Sequence, residues 1–188
     1  MISKLHPNLL ISPCRNVLKA SFIAFFLLMV FSNSGKAQTG RTLSFDGVND
    51  YISLPVGLSG SYTKEAWLNA SDLTGFRNMI SGTGTAFFLD AGRLAAGHAP
   101  GFAQALDPVT LIAGTWYHVA VTYNAVTGDM LLYKNGILVF TAPGVSTYTE
   151  PLLEISRFGG ANFFNGRLDE VRLWNRVRTA VEINSNMN

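Results

Sequence analysis

The stretch "MLLYKNGILVF", residues 130–140, decides the fold class. Asn135 and Gly136 separate two apolar runs, and both residue types accept the positive φ that a two-residue type I′ turn requires. This pattern predicts a β-hairpin. Similar short alternating runs, broken by Gly, Pro, Asn and Asp, occur at 42–46, 51–55, 62–69, 78–81, 86–90, 93–96, 116–124, 152–158 and 163–174. Their spacing predicts an all-β antiparallel sandwich.

One helix is predicted near the end of the chain, in "RTAVEINSNM". Thr179 stands three residues before Glu182, which is the spacing of a capping box. Because the segment is short, we expect it to close the sandwich and not to bind a partner.

The first 37 residues have the composition of a secretory signal peptide. Three basic residues precede the apolar run at 20–31, and small residues lead up to Ala37. We therefore expect a signal peptide over 1–37, a mature domain over 38–188, and secretion or another extracytoplasmic location. The apolar run is short for a membrane span, so no stable span is expected after cleavage, although an uncleaved anchor is the alternative.

The charge of the mature chain argues against nucleic acid as a partner. Four of the 14 Lys and Arg residues lie in the predicted signal, and none of the 12 Asp and Glu residues do. The remaining chain is slightly acidic, which is unlike a nucleic-acid-binding surface. The only cysteine, Cys14, also lies in the signal, so the mature chain has no disulfide.

Five stretches, in order, carry a resemblance to a known family: "LSFDGVNDYISLP", "YTKEAWLN", "GTWYHVAVTYN", "TGDMLLYKNGILV" and "FFNGRLDEVRLWNRVRTAVEI". They resemble the laminin G-like family of concanavalin A-like lectin/glucanase jelly rolls, and the last is also similar to pentraxins. The resemblance implies a two-sheet jelly-roll sandwich with a short C-terminal helix, acting as a binding or adhesion module. Lys64 departs from the family, which usually has an apolar residue there, so we expect that strand's outer face to be more exposed.

The same fold also houses glucanases, which need two carboxylates on opposite sides of the scissile bond. The sequence contains no Glu-x-Asp-x-(x)-Glu motif, and the adjacent Asp169 and Glu170 are expected to point to opposite faces of a strand. We therefore predict a non-enzymatic module that binds carbohydrate or a cell-surface or matrix protein. The alternatives are an extracellular glycosidase or its accessory domain, and a structural spacer.

Calcium is the expected cofactor, and most of the argument for it comes from the resemblance. Strand parity predicts that Asp169 points inward with Val171 and Leu173, and the resemblance places the first and last strands side by side. Asp46, Asn49, Asp50 and Asp169 would then offer the oxygen ligands that calcium prefers. The alternative is that "FDGVND" is only a turn, because Asp, Gly and Asn are common in turns.

Aromatic residues in the predicted loops are the candidate ligand contacts. Phe76, Phe102, Tyr148 and Phe163 are flanked by Gly or polar residues and could stack on sugar rings or anchor a protein partner. Alternatively, Phe163 and Phe164 begin the last strand, with one of them facing inward. His118, within "WYHVAVTY", is predicted to be a hydrogen-bonded structural histidine.

Overall fold

The computed structural model describes residues 42–187. The strands are β1 (Leu43–Asp46), β2 (Ile52–Leu54), β3 (Tyr62–Ala70), β4 (Phe76–Asn78), β5 (Ile80–Gly82), β6 (Thr85–Asp90), β7 (Arg93–His98), β8 (Ala105–Thr110), β9 (Trp116–Asn124), β10 (Asp129–Lys134), β11 (Ile137–Ala142), β12 (Leu153–Ile155) and β13 (Asn165–Trp174). One helix, α1, follows at Ala180–Ser185. The predicted signal peptide, 1–37, lies outside the described residues. Within those residues, no helix is long and apolar enough to cross a membrane.

All strand pairs are antiparallel and form two layers. One layer is a six-stranded sheet in the order β1-β13-β3-β9-β10-β11, and the other consists of a three-stranded sheet, β2-β12-β5, and a four-stranded sheet, β4-β6-β7-β8. Leu68 and Val121 from the first layer share one buried core with Phe87 and Leu94 from the second. Each such side chain contributes about 1.5–3 kcal/mol when it is removed from water. The all-β sandwich of the concanavalin A-like type is therefore confirmed.

Two local predictions are confirmed in detail. Asn135 and Gly136 have φ values of 50° and 74° and join β10 to β11, as a type I′ turn requires. The Thr179 side chain accepts a hydrogen bond from the backbone of Glu182, and the Glu182 side chain accepts one from the backbone of Thr179. Both elements depend on neighbouring residues alone, which is why the sequence predicts them well.

Strand β8, Ala105–Thr110, was not predicted. It contains Pro108, and proline removes a backbone donor, which normally argues against a strand. The strand lies at the edge of the four-stranded sheet and pairs only with β7, and its register shifts at Pro108, between the Leu106–Ala95 and Thr110–Arg93 pairs. An edge position is where a sheet tolerates proline.

The predicted orientation of Asp169 is wrong because β13 contains a β-bulge. Asp169 lies opposite Trp67 and Arg172 lies opposite Glu65, so two residues of β13 lie opposite the single residue Ala66 of β3. Glu170 in this bulge has a φ of 49°. Leu168, the residue before Asp169, is fully buried in the core. The one extra residue reverses the strand parity at the bulge, and Asp169 lies on the outer face of the six-stranded sheet with Trp67.

The prediction of an exposed surface around Lys64 is also wrong. Lys64 has no exposed surface, and its Nζ donates hydrogen bonds to the Ile80 carbonyl at 3.1 Å and to Thr85 Oγ1 at 2.7 Å. Thr85 Oγ1 in turn donates to the buried carboxylate of Glu150 at 3.0 Å. A polar chain therefore crosses the interior between the two layers, at a position where the resemblance predicts an apolar side chain.

The hydrogen-bonded histidine is His98 and not His118. Tyr62 Oη lies 3.0 Å from His98 Nε2, and His98 Nδ1 lies 2.6 Å from the Ser146 carbonyl oxygen, so Nδ1 donates and Nε2 accepts. Neither ring nitrogen of His118 has a partner among the described residues. Burial, aided by the charges of Arg172 and Arg178, lowers the pKa of His118 to about 4, so its ring is neutral near pH 7.

Candidate binding site

The outer face of the four-stranded sheet carries the floor of a cavity. β4 pairs with β6 so that Phe76 lies opposite Asp90 and Asn78 lies opposite Phe88. The residues next to Phe88 on β6, Phe87 and Leu89, are fully buried in the core. Because alternate residues of a strand point to opposite faces, Phe88 and Asp90 point away from the core. The four paired side chains therefore form one outward-facing surface.

Two loops enclose this floor. The β7–β8 loop contributes Phe102 and the β12–β13 loop contributes Phe158, whose ring centroids lie 4.9 Å apart at an interplanar angle of 68°. On the floor, Phe76 and Phe88 form a second edge-to-face pair with centroids 5.9 Å apart. The cavity has a volume of about 330 Å³ and is lined by Phe76, Asn78, Ala86, Phe88, Asp90, Gly101, Phe102, Ala103, Phe158 and Asn162. This size lies at the lower end of the range for small-ligand sites.

The position of Phe102 depends on contacts between its loop and β7. Gln104 Oε1 accepts a hydrogen bond from the backbone N–H of His98, and Gln104 Nε2 donates to the carbonyl of the same residue, both at 2.8 Å. The backbone N–H of Phe102 also donates to the His98 carbonyl, at 2.9 Å. A Cβ at Gly97 would clash with the Gln104 side chain and the Phe102 carbonyl. The absence of a side chain at Gly97 thus lets the loop lie against the strand.

Polar groups accompany the aromatic rings. Asn78 is 3% exposed, and its Oδ1 accepts a hydrogen bond from Ser81 Oγ at 2.5 Å. Asp90 Oδ2 accepts a hydrogen bond from the Arg93 guanidinium at 3.1 Å. The cavity therefore combines apolar ring surfaces with a few polar side chains, as ligand sites commonly do.

The structure brings together two of the four predicted aromatic ligand residues. Phe76, which is 51% exposed, and Phe102 both line the cavity. Tyr148 lies elsewhere, against His98 at a centroid distance of 4.5 Å, and its hydroxyl donates to the Gly60 carbonyl. Phe163 is half-buried and is not among the residues that line the cavity, while Phe164 is fully buried against Phe45. One member of the Phe163–Phe164 pair thus faces inward, as predicted.

Four residues that line the cavity were not predicted from the sequence: Asn78, Phe88, Phe158 and Asn162. Phe88 had a usable signal, because the adjacent phenylalanines in "TAFFLD" must point to opposite faces of a strand and only one can enter the core. Phe158 had none, since its contact with Phe102 joins residues that are distant in sequence.

The four predicted calcium ligands do not form one group. Asp46 lies opposite Asn165 in the β1–β13 ladder, four residues from Asp169, which corresponds to about 13 Å along the strand. Asp46 Oδ1 accepts a hydrogen bond from the backbone N–H of Val48 at 2.7 Å, and Asp50 Oδ2 accepts one from the backbone N–H of Asp46. Residues 46–50 thus form the expected turn. Within residues 42–187, no group of three or more His, Cys, Asp or Glu side chains could hold a metal ion.

The sequence matches the family described as the concanavalin A-like lectin/glucanases superfamily over residues 46–184. The chain belongs to this superfamily. No curated protein sequence matches the chain.

Solved structures share the fold of this superfamily member at low identity. A candidate carbohydrate-binding protein from Bacteroides ovatus is 24% identical with a TM-score of 0.67, and the match covers 78% of this chain and 46% of that one. Domain 4 of an extracellular arabinanase from Geobacillus stearothermophilus, solved with arabinotriose, is 19% identical with a TM-score of 0.65, over 81% and 79% of the two chains. A heptameric pentraxin from Limulus polyphemus is 17% identical with a TM-score of 0.62, over 78% and 81%. The chain therefore spans about half the length of the Bacteroides protein.

Proposed function

We propose that the protein is a secreted, non-enzymatic carbohydrate-binding module whose ligand occupies the cavity on the outer face of the four-stranded sheet. The observation that carries the proposal is the convergence of four phenylalanines, two from strands and two from loops, on one cavity with polar side chains beside them. Sugar rings present apolar C–H faces together with hydroxyls. Aromatic faces and a few directed polar groups suit that combination.

The structural relatives support the same function. The arabinanase domain was solved with an oligosaccharide, and the Bacteroides protein is described as a candidate carbohydrate-binding protein. The carboxylates argue against hydrolysis, because glycosidases generally use two carboxylates across the scissile bond. Among the described residues that line the cavity, Asp90 is the only acidic one. A polysaccharide panel incubated with the protein should therefore release no reducing sugar, and measurable turnover would favour a glycosidase.

The secreted location rests on the predicted signal peptide at 1–37. The protein recovered outside the cytoplasm should begin at Gln38, since cleavage is expected after Ala37. Intact-mass measurement tests this, and a retained apolar segment would contradict it.

The binding test is an array of immobilised polysaccharides probed with the wild-type protein and with Phe76→Ala. Phe76 is half exposed, so its removal should leave the fold intact while taking away part of the floor of the cavity. We expect at least a tenfold loss of affinity for the bound glycan, which corresponds to about 1.4 kcal/mol. Val126→Ala is the matched control, because Val126 is 92% exposed and does not line the cavity.

If Phe76→Ala binds the glycan as tightly as the wild type does, the cavity is not the binding site. Binding to matrix proteins without binding to any glycan would favour the protein-binding alternative.

A further inference from the structure

The floor of the cavity is an alternating square of aromatic and polar residues. The β4–β6 register places Phe76 beside Asp90 and Asn78 beside Phe88, all on the outer face. The two phenylalanines thus occupy one diagonal of the square, and Asn78 and Asp90 occupy the other. Diagonal residues on neighbouring strands lie about 7–8 Å apart. A single ring lying on Phe88 could therefore reach a polar side chain at two of its edges.

A hydrogen-bond chain fixes which group Asn78 offers to the cavity. The backbone N–H of Phe87 donates to Ser81 Oγ at 3.3 Å, and the Ser81 hydroxyl donates to Asn78 Oδ1. This contact turns the Asn78 oxygen towards Ser81 and leaves its amide N–H groups as the donors that it can offer to a ligand. No hydrogen bond between described residues occupies the Asn78 amide nitrogen, and this nitrogen is not enclosed by protein. Because Asn78 lines the cavity, its N–H groups can donate to a ligand there.

The charges around the floor are not suited to an anion. Asp90 is the only charged residue among the described residues that line the cavity. The nearby cations are already paired, because Arg93 binds Asp90 and Arg77 binds Asp72. A carboxylate on a ligand would therefore face the negative charge of Asp90 without a free cation beside it, and burying an unpaired charge is costly.

We infer that the cavity takes a neutral sugar unit and rejects uronic and sialic acids. One hydroxyl of the sugar accepts a hydrogen bond from the Asn78 amide, another donates to the Asp90 carboxylate, and the apolar face of the ring lies on Phe88. This inference rests on the proposed carbohydrate-binding function, and it adds the ligand class and the two residues that set it.

The experiment compares neutral with acidic polysaccharides on one immobilised panel at physiological salt. The neutral set is arabinan, galactan, xylan, mannan and β-glucan, and the acidic set is polygalacturonate, alginate, hyaluronan and polysialic acid. We expect the tightest binding to fall in the neutral set, with every acidic polymer bound at least tenfold more weakly. Tightest binding to an acidic polymer would overturn the inference and leave the proposed function standing. No binding to any polymer would overturn the proposed function itself.

Two variants test the roles of the polar residues. Asp90→Asn removes the negative charge and frees Arg93, so the ratio of acidic to neutral binding should rise at least tenfold. Asn78→Asp keeps the shape and replaces the donor by a carboxylate, so it should weaken neutral binding at least tenfold. In the ¹⁵N-labelled wild type, the side-chain amide resonance of Asn78 should shift when the best neutral oligosaccharide is added. An unshifted resonance, or an unchanged ratio for Asp90→Asn, would overturn the assignment of these roles.

Discussion

Lys64 lies in the interior of the sandwich, where a charge is costly. Its ammonium reaches the Ile80 carbonyl and the Thr85 hydroxyl, and the same hydroxyl contacts Glu150. Glu150 is itself held by the backbone N–H groups of Gly84 and Thr85, at 3.0 and 2.9 Å. Burial lowers the pKa of Lys64 to about 7, and the attraction of Glu150 only partly opposes this. The fold thus retains a lysine whose charged form it disfavours.

The stability of Lys64→Met relative to the wild type should increase as the pH falls from about 10 to about 7. In the unfolded chain Lys64 has a pKa of about 10.4. Between about pH 7 and pH 10.4, the unfolded state therefore binds more protons than the folded state. The stability of the wild type rises with pH across this range. Methionine has a similar length and no charge. We expect the stability difference between the two proteins to change by a few kcal/mol, on the order of the linkage effect, between pH 10 and pH 7 in denaturant melts. Parallel pH profiles for the two proteins would contradict this.

Calcium binding stays a prediction, and the β1–β13 register confines its side-chain ligands to Asp46, Asn49 and Asp50. A ligand that binds only the folded state adds about 2.7 kcal/mol at a hundredfold excess over its Kd. The melting temperature should therefore rise with millimolar calcium after chelation, and Asp46→Asn should remove the rise. Asp169→Asn is the matched control and should leave the response unchanged. No shift in the wild type would mean that residues 46–50 are only a turn.

The shape of the cavity depends on how the β7–β8 loop lies against β7. The β7–β8 loop is attached to the backbone of His98 by both polar atoms of Gln104 and by the N–H of Phe102. Phe102 has a φ of 50°, an uncommon value for a non-glycine residue. Strain of this kind persists only where surrounding contacts enforce it, and it is found often at functional sites.

Gly97→Ala should weaken glycan binding without unfolding the protein. The new methyl group would meet the Gln104 side chain and the Phe102 carbonyl, so the loop must move away from β7. Phe102 would then separate from Phe158, and we expect at least a tenfold loss of affinity on the polysaccharide array. Ala96→Gly, on the adjacent residue whose side chain lies in the main core, is a control for general weakening of β7. Full binding by Gly97→Ala would show that the loop position does not set the affinity.

The features predicted correctly from the sequence are those that depend on local chemistry. The Asn135-Gly136 hairpin and the Thr179 capping box are examples, because their residues interact with near neighbours. The bulge in β13 escaped prediction because it is defined by pairing with β3, more than ninety residues earlier in the chain. It alone reverses the orientation of Asp169. For the same reason, only some of the cavity residues were predicted. Loop composition singles out Phe76 and Phe102, but only tertiary packing brings Phe158 into contact with Phe102.

The closure of the sandwich by its last segment depends on a buried ion pair. Glu65 on β3 has no exposed surface, and its Oε1 accepts hydrogen bonds from Arg178 Nη1 at 2.6 Å and from Trp174 Nε1 at 2.8 Å. The other terminal nitrogen of Arg178 donates to the Glu182 carbonyl in α1, and its backbone N–H donates to Thr63 Oγ1. Arg178 thus connects the segment before α1 to the outer face of the six-stranded sheet.

Arg178→Met should destabilise the fold by about 3–5 kcal/mol, because it leaves the charge of Glu65 buried without its main partner. Adding Glu65→Gln to this variant should recover at least about 1 kcal/mol of stability. The glutamine amide is neutral, and its oxygen can still accept the hydrogen bond from Trp174 Nε1. Arg176→Met is the matched control in the same segment, because the Arg176–Glu182 pair is exposed and exposed pairs contribute little. Urea denaturation of the four proteins measures these differences. If the double variant is less stable than Arg178→Met alone, the cost comes from lost packing of the arginine and not from the unpaired charge of Glu65.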